Sequence, residues 1–176
     1  MSTNSAKLLV YVRDRLACVK IVGRANVASS IDFKRLVNEL LNRGFTCFVL
    51  DLSECLLMDS TFLGVLAGFG LKLANPSNGS SEGGPIELLN PNVRIAELLE
   101  NLGVAHLFHI RQGVQEPGRA AVAEEAPTTQ STREEVTRNC LEAHRTLMNL
   151  DPANAVKFKD VTQFLAENLE KIKAGK

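Results

Sequence analysis

The sequence has little of what marks several common protein classes. It contains no tryptophan and one tyrosine, and its 20 basic residues are balanced by 20 acidic ones. Non-specific binding to nucleic acid requires a basic surface, which this composition does not favour. The longest apolar run, residues 62–71, is about half as long as a membrane-spanning helix. We therefore predict no nucleic-acid partner and no membrane span.

Cysteine and histidine are also sparse. None of the four cysteines forms a Cys-x-x-Cys pair. We interpret the cysteines as small core side chains, and His106 and His109 as residues of a strand end. The sequence predicts no metal site and no cofactor. The first five residues lack the charged head and apolar core of a signal peptide, which predicts a cytoplasmic protein.

One polar triplet lies between a predicted strand and a predicted helix. The apolar run 47–50 is typical of a strand buried on both faces. Asp59, Ser60 and Thr61 are residue types that begin helices, and the apolar segment 62–71 follows them. That segment contains three glycines, which lower helix propensity and favour close approach of another backbone. The pattern predicts an accessible hydroxyl at the start of a buried helix, where unpaired backbone N–H groups favour negative charge.

Hydrophobic periodicity predicts alternating strands and helices around this triplet. Ser29 and Ser30 are predicted to cap one helix, and Asn90 another. A glycine-rich loop is predicted at 75–84. The order indicates an α/β fold, a layered mixed sheet of about five strands with helices packed on it. The predicted strands are 7–12, 17–22, 45–52, 85–89 and 106–110.

The composition changes after Gly113. Residues 1–113 form the predicted first domain, and residues 114–130, rich in Glu, Ala, Pro and Thr, predict a flexible linker. Residues 131–176 carry two amphipathic stripes, each preceded by a helix start signal, and predict an α-helical hairpin. A unit of this size buries too little surface to be stable alone. We expect it to dock on the first domain, on a partner, or on a second copy as a homo-oligomer.

Several motifs resemble the STAS domain family over residues 5–112. The similarity extends to the anti-sigma factor antagonists of bacterial partner switching. The chain departs from the family pattern at Phe62, where glycine is usual. Phe62 either packs inward or changes how a kinase is recognised. The motifs are I-V-G-R at 21–24, D-L-S at 51–53, M-D-S-T at 58–61 and L-G-V-L at 63–66.

The resemblance implies a STAS-like fold and a non-catalytic signalling module. It implies that the unphosphorylated protein binds an anti-sigma factor with serine kinase activity, and that phosphorylation of Ser60 ends this binding. A protein phosphatase would reset the protein, and ATP belongs to the kinase. Thr61 is a less favoured phosphoacceptor. The implied partner-binding residues are Gly23, Arg24, Asp59, Ser60, Thr61 and Phe62.

The residues alone leave alternatives open. Ser60 can act as a phosphorylation switch, a helix cap or a nucleophile. The nucleophile is disfavoured because there is no G-x-S-x-G elbow and the Asp59 carboxylate would oppose an oxyanion. Asp59 is a partner contact, a second cap, or both, and Asp51 is either a buried acid at a strand end or an exposed turn residue. The alternative functions are a scaffold or assembly subunit without a phosphoswitch, and a small-ligand-binding regulator.

Overall fold

A mixed β-sheet forms the centre of the protein. The computed structural model describes residues 5–74, 86–113 and 123–175. Within these residues the sheet has seven strands, in the order β6-β5-β3-β2-β1-β7, and β4 pairs with β2 beside that path. The strands are β1 (Lys7–Arg13), β2 (Leu16–Ala25), β3 (Cys47–Asp51), β4 (Cys55–Met58), β5 (Ile86–Leu89), β6 (Phe108–Arg111) and β7 (Glu124–Glu125).

The predicted α/β class and mixed sheet are confirmed. β1 and β2 form an antiparallel hairpin, and β3, β5 and β6 add to β2 in parallel register. β4 was expected only as an apolar patch. It pairs in parallel with the last residues of β2, after a register shift between Gly23 and Arg24. Gly23 has φ +101°, a conformation that favours glycine, and the extra residue at the shift, Leu56, lies on β4.

The described residues form five α-helices, which pack on the sheet or on one another. A cluster of buried apolar residues, with Phe33, Leu50 and Leu66 at its centre, joins the sheet to the helices. No helix in the described part of the chain has the length and apolar character required to cross a membrane. The helices are α1 (Val27–Asn42), α2 (Ser60–Ala74), α3 (Val93–Asn101), α4 (Arg133–Leu150) and α5 (Pro152–Ala174).

Two helix starts differ from the prediction. The cap residue of α1 is Asn26, whose Oδ1 accepts a hydrogen bond from Ser29 N at 3.2 Å, and Ser29 Oγ accepts in return from Asn26 N at 2.9 Å, so Ser29 completes a capping box from inside the helix. α3 is capped by Asn92, whose Oδ1 accepts from Ile95 N at 3.0 Å. Asn90 instead has φ +55° and lies directly after β5, where its backbone N donates to Arg111 O at 2.8 Å. Several residues near each boundary can cap, and the tertiary path of the entering chain selects one of them.

The described part of the predicted linker, residues 123–130, contacts the first domain. β7 pairs antiparallel with β1, and Ala126 N donates to Leu8 O at 2.8 Å. Thr129 N donates to Asp32 Oδ1 at 3.2 Å. An unpaired edge strand leaves backbone groups open to pairing, and this polar segment satisfies some of them on β1. The rest of the predicted linker, residues 114–122, and the loop predicted at 75–84 lie outside the described residues.

The C-terminal hairpin is present and packs on the first domain. Thr132 Oγ1 accepts from Glu135 N at 3.1 Å at the start of α4, and Asp151 caps α5 ahead of Pro152. Ala143 and Leu147 of α4 belong to the same buried cluster as the helices of the sheet domain. Of the three docking partners expected for the hairpin, the described chain therefore uses its own first domain.

Candidate functional site

Asp59 marks the start of α2. Its Oδ1 accepts a hydrogen bond from Phe62 N at 2.8 Å, and its backbone N donates to Ala25 O at 2.9 Å. The first contact is that of a helix cap, and the second fixes the helix start to the end of β2. Ser60 is the first residue of the helix itself. The interpretation of Ser60 as the cap is therefore wrong, because the preceding carboxylate takes that position.

The Ser60 hydroxyl contacts a histidine of the C-terminal hairpin. Ser60 Oγ lies 2.9 Å from His144 Nε2, and His144 Nδ1 lies 2.7 Å from the backbone oxygen of Cys140. A carbonyl oxygen only accepts, so Nδ1 carries hydrogen and donates to it. In the neutral ring, Nε2 is then an acceptor and the Ser60 hydroxyl donates. Ser60 is half-buried, and His144 is buried.

The surroundings of this contact disfavour negative charge. Burial raises the pKa of Asp59, and this effect is opposed by nearby backbone N–H groups, those of Phe62 first, and by His144. Burial also raises the pKa of the Cys140 thiol. Thr61 Oγ1 donates to Cys140 Sγ at 3.8 Å and is itself buried. The start of α2 is thus a partly desolvated site whose groups bond to one another.

Phe62 lies in the core. It is completely buried, and its ring centroid is 5.0 Å from that of Phe33 on α1. Of the two interpretations, inward packing is the one that the structure has. Phe62 therefore presents no side-chain surface to a partner in this arrangement, and the same holds for Thr61, which is 4% exposed.

Gly23 and Arg24 lie beside the same helix start but face another surface. Gly23 N donates to Glu54 O at 3.0 Å, and the exposed Arg24 pairs with Leu57 of β4. Asn92 Nδ2 donates to Leu56 O at 3.1 Å and holds the start of α3 against β4. We call this surface the open face. It is lined by Arg24, Leu56, Leu57, Asn92, Val93 and Arg94.

Asp51 is a buried acid at the end of β3. It is 3% exposed, and its Oδ1 accepts from Ser53 N at 2.9 Å. Of the two interpretations left open by the sequence, the buried acid is correct. The D-L-S motif therefore shapes the turn that leads into β4.

Sequence analysis missed His144. Its position carries a weak signal, because it lies four residues after Cys140 and three before Leu147, on the apolar stripe of α4. The stripe predicts an inward side chain but gives no indication that it meets Ser60, 84 residues earlier. Only the docking of the hairpin brings these two residues together.

The Ser60–His144 contact has the distance of a nucleophile and its base. Acyl transfer would also require N–H donors for a developing oxyanion. At this helix start, the Phe62 N–H is bound by Asp59, and a carboxylate adjoins the hydroxyl. His144 is also covered by Phe158 of α5, with ring centroids 4.9 Å apart. The arrangement favours a docking contact over acyl-transfer chemistry.

Known proteins share this fold. The structure resembles the anti-sigma factor antagonist SpoIIAA in its unphosphorylated form, with 15% identity, a TM-score of 0.51, and 60% of this chain and 89% of that chain covered. TM1081 from Thermotoga maritima is 24% identical, with a TM-score of 0.50, and 58% of this chain and 78% of that chain are covered. The phosphorylated form of the Bacillus cell fate determinant SpoIIAA is 16% identical, with a TM-score of 0.48 and coverage of 61% and 93%.

At these identities the solved structures establish the fold alone. A comparison with curated protein sequences finds no significant match. The family match is more direct, because the STAS domain matches residues 7–116, well over half of the chain. That range contains β1 to β6, the capped start of α2 and the open face. The chain therefore belongs to the STAS domain family.

Proposed function

We propose that the protein is a phosphorylation-regulated binding module of the anti-sigma factor antagonist type, acting in the bacterial cytoplasm. The observation that carries the proposal is the position of Ser60. Its hydroxyl is at the start of α2, and the cap position is filled by Asp59, so the hydroxyl is not needed to satisfy the helix. The family resemblance assigns phosphorylation to the serine that follows this aspartate.

The physical basis of the switch is local charge. A phosphate on Ser60 adds up to about two negative charges beside the Asp59 carboxylate. The positive end of α2 can stabilise this charge when it is solvated. A partner docked on the same surface would have to desolvate both groups, and it would be repelled if its own surface were acidic. Phosphorylation therefore weakens partner binding through charge at the start of α2.

The proposed partner is an anti-sigma factor with serine kinase activity. The γ-phosphoryl group of its ATP passes to Ser60 Oγ, the hydroxyl proton is lost, and ADP is released. A protein phosphatase hydrolyses the phosphoserine and resets the module. Asp59, Gly23 and Arg24 remain candidates for partner contacts, since the exposed Arg24 lies on the open face beside the helix start.

The test compares three forms of the chain in the bacterium that encodes it. Tagged wild type, Ser60→Ala and Ser60→Asp are purified, and co-purifying proteins are identified by mass spectrometry. We expect an ATP-binding serine kinase with Ser60→Ala and its loss with Ser60→Asp. Incubation of the wild type with that kinase and ATP should phosphorylate the peptide that contains Ser60. Recovery of the same kinase by all three forms, with no phosphate on that peptide, would contradict the proposal.

A scaffold or oligomeric assembly subunit is the second candidate. The observation in its favour is on α5, where Val156 is 86% exposed and Phe164 is 65% exposed. Large apolar side chains on a surface can mark an interface between copies through residues 131–176. Light scattering on the purified chain tests this. An oligomer that dissociates in Phe164→Glu and never gains phosphate on Ser60 would favour the scaffold.

A further inference from the structure

The C-terminal hairpin fits tightly over the start of α2. A methyl group added at Gly64 would lie 2.4 Å from the backbone oxygen of Ala143, closer than real Cβ contacts occur. Only glycine therefore fits at this position while α4 is docked. Gly68, one turn later, differs. A methyl group there would meet none of the described atoms within 4 Å. The close approach of α4 therefore occurs at Gly64 and not at Gly68.

Polar groups at this contact pair across the two helices. Ser60 bonds to His144, and Thr61 bonds to Cys140. α4 also bonds to the neighbouring α1. Asn139 Nδ2 of α4 donates to Ser30 Oγ of α1 at 2.9 Å in a buried position. Both hydroxyls of the D-S-T motif therefore have their partners on the hairpin rather than in solvent.

The rim of the contact is made of exposed ion pairs. Lys34 Nζ of α1 lies 3.0 Å from Glu142 Oε2 of α4, and Arg35 pairs with Glu135. Ion pairs of this kind contribute little to stability, since water screens the charges. Inside this rim the contact combines the apolar side chains of Ala143 and Leu147 with the polar pairs at Ser60 and Thr61.

We propose that the hairpin α4–α5 is a built-in cover, and that it must leave the start of α2 before Ser60 is phosphorylated or bound. The inference rests on the proposed function, because it names the regulation of the same serine. A kinase must bring ATP to Ser60 Oγ, and that atom is bonded to His144 when the cover is closed. A phosphate on Ser60 in turn opposes closure, since it would be desolvated beside Asp59.

The two events are linked. If the cover is open in about one molecule in a hundred, phosphorylation is slowed about a hundredfold relative to an open chain. By reciprocity, any partner that binds the start of α2 shifts the hairpin toward its open state. A signal that displaces α4 would therefore act upstream of the kinase.

Gly64→Ala tests the cover directly. The added methyl group cannot coexist with Ala143 in the closed position, so the variant should favour the open state. Cys140 lies at the contact, and its alkylation by iodoacetamide reports opening without any kinase. We expect alkylation of Cys140 about tenfold faster than in the wild type, the order of effect that overpacking by one methyl produces. Cys18 is fully buried in the sheet, and its slow alkylation shows that the fold is kept.

Gly68→Ala is the matched control. It makes the same substitution on the same helix where an added methyl has space, and its Cys140 should react as in the wild type. A second opening variant, Glu142→Lys, places a positive charge opposite Lys34 on the surface and avoids strain in the core. Adding Lys34→Glu restores the pair with reversed charges and should return the slow rate. Equal Cys140 rates in all these chains would overturn the inference.

A phosphorylation assay distinguishes the proposed cover from the proposed phosphorylation switch. With the kinase that modifies the wild type, Gly64→Ala should be phosphorylated faster and Gly68→Ala at the wild-type rate. Faster Cys140 alkylation with an unchanged phosphorylation rate would overturn the cover and leave the switch. Faster alkylation with no phosphate on Ser60 in any chain would overturn the switch, and the regulatory inference with it, leaving only a hairpin that opens.

Discussion

The helix starts of α2 and α3 use the same capping device and have opposite environments. Asp59 and Asn92 each accept a hydrogen bond from the backbone N three residues later, at 2.8 and 3.0 Å. Around α2 the next residues are covered by the hairpin, and Thr61 is 4% exposed. At α3, Val93 is 73% exposed and belongs to the open face. A capping signal thus identifies a helix start but says nothing about whether a partner can reach it.

The largest expected difference between the two starts is in packing. Phe62→Ala removes a buried ring that contacts Phe33 and should lower the free energy of unfolding by about 3–5 kcal/mol. Leu56→Ala on the open face, where Leu56 is 62% exposed, should change it by less than about 0.5 kcal/mol. Urea unfolding followed by circular dichroism measures both. Similar losses in the two variants would show that the open face is also buried in solution.

The Ser60–His144 contact gives a smaller effect. His144→Ala removes a hydrogen bond and the ring contact with Phe158, and should cost about 1–3 kcal/mol. A double-mutant cycle with Ser60→Ala should show a coupling energy of about 1 kcal/mol. His109→Ala, on an exposed side chain, is the control. A coupling energy of zero would mean that the hairpin does not rest on Ser60 in solution.

The charge of Asp59 should have an effect that depends on pH. Asp59→Ala loses the cap and should cost about 1 kcal/mol at neutral pH. Asp59→Asn keeps a capping oxygen and removes the charge that burial disfavours, so it should be at least as stable as the wild type. Because the pKa of Asp59 is raised in the folded state, the protonated carboxyl adds to the free energy of unfolding. This stabilisation is fully present below the ordinary carboxyl pKa and is lost as the pH rises through the folded-state pKa.

Melting temperatures of wild type and Asp59→Asn, taken from pH 7 down to pH 3.5, check this sign. The difference between the two proteins should shrink toward acid pH. A difference that grows as the pH falls would mean that the carboxylate is stabilised by the helix start more than burial disfavours it.

A further pH effect lies at alkaline pH and involves the buried Cys55 of β4. Burial raises the pKa of the Cys55 thiol from 9.0 to about 11. The unfolded thiol therefore ionises first, and the stabilisation present below pH 9 is lost as the pH rises from 9 to 11. Cys55→Ala should remove this part of the alkaline loss in melting temperature. An identical pH dependence in the two proteins would contradict the assignment.

Sequence patterns predicted the positions of the helices well, but they did not predict which elements pack against one another. Apolar residues that alternate predicted core strands, and apolar residues at helical spacing predicted the hairpin. Both patterns arise because one face of each element is buried. The four-residue β4 and two-residue β7 are too short to show a period. β4 depends on pairing with the last residues of β2, and β7 depends on pairing with β1. Such pairings depend on neighbours far along the chain.

The candidate site divides in the same way. The D-S-T motif and its resemblance to the STAS family depend on residues adjacent in sequence, so Asp59 and Ser60 were found without coordinates. The inward position of Phe62 was one of two open interpretations, and the exposure of Ser60 was expected to be greater. Both outcomes depend on what packs against α2. Phe33 and His144 lie on other helices, and no local pattern identifies them.

The sequence by itself determined the family, the order of the helices and of five strands, and the presence of a hydroxyl beside an acid at a helix start. These follow from local periodicity, capping chemistry and motif spacing. The tertiary structure alone decided that the hairpin returns to cover that hydroxyl, with Gly64 admitting the backbone of Ala143 and His144 receiving Ser60. The physical reason is that an amphipathic pattern indicates only that one face of a helix is buried. Which residues bury it depends on the shape and charge of segments that are distant in the sequence.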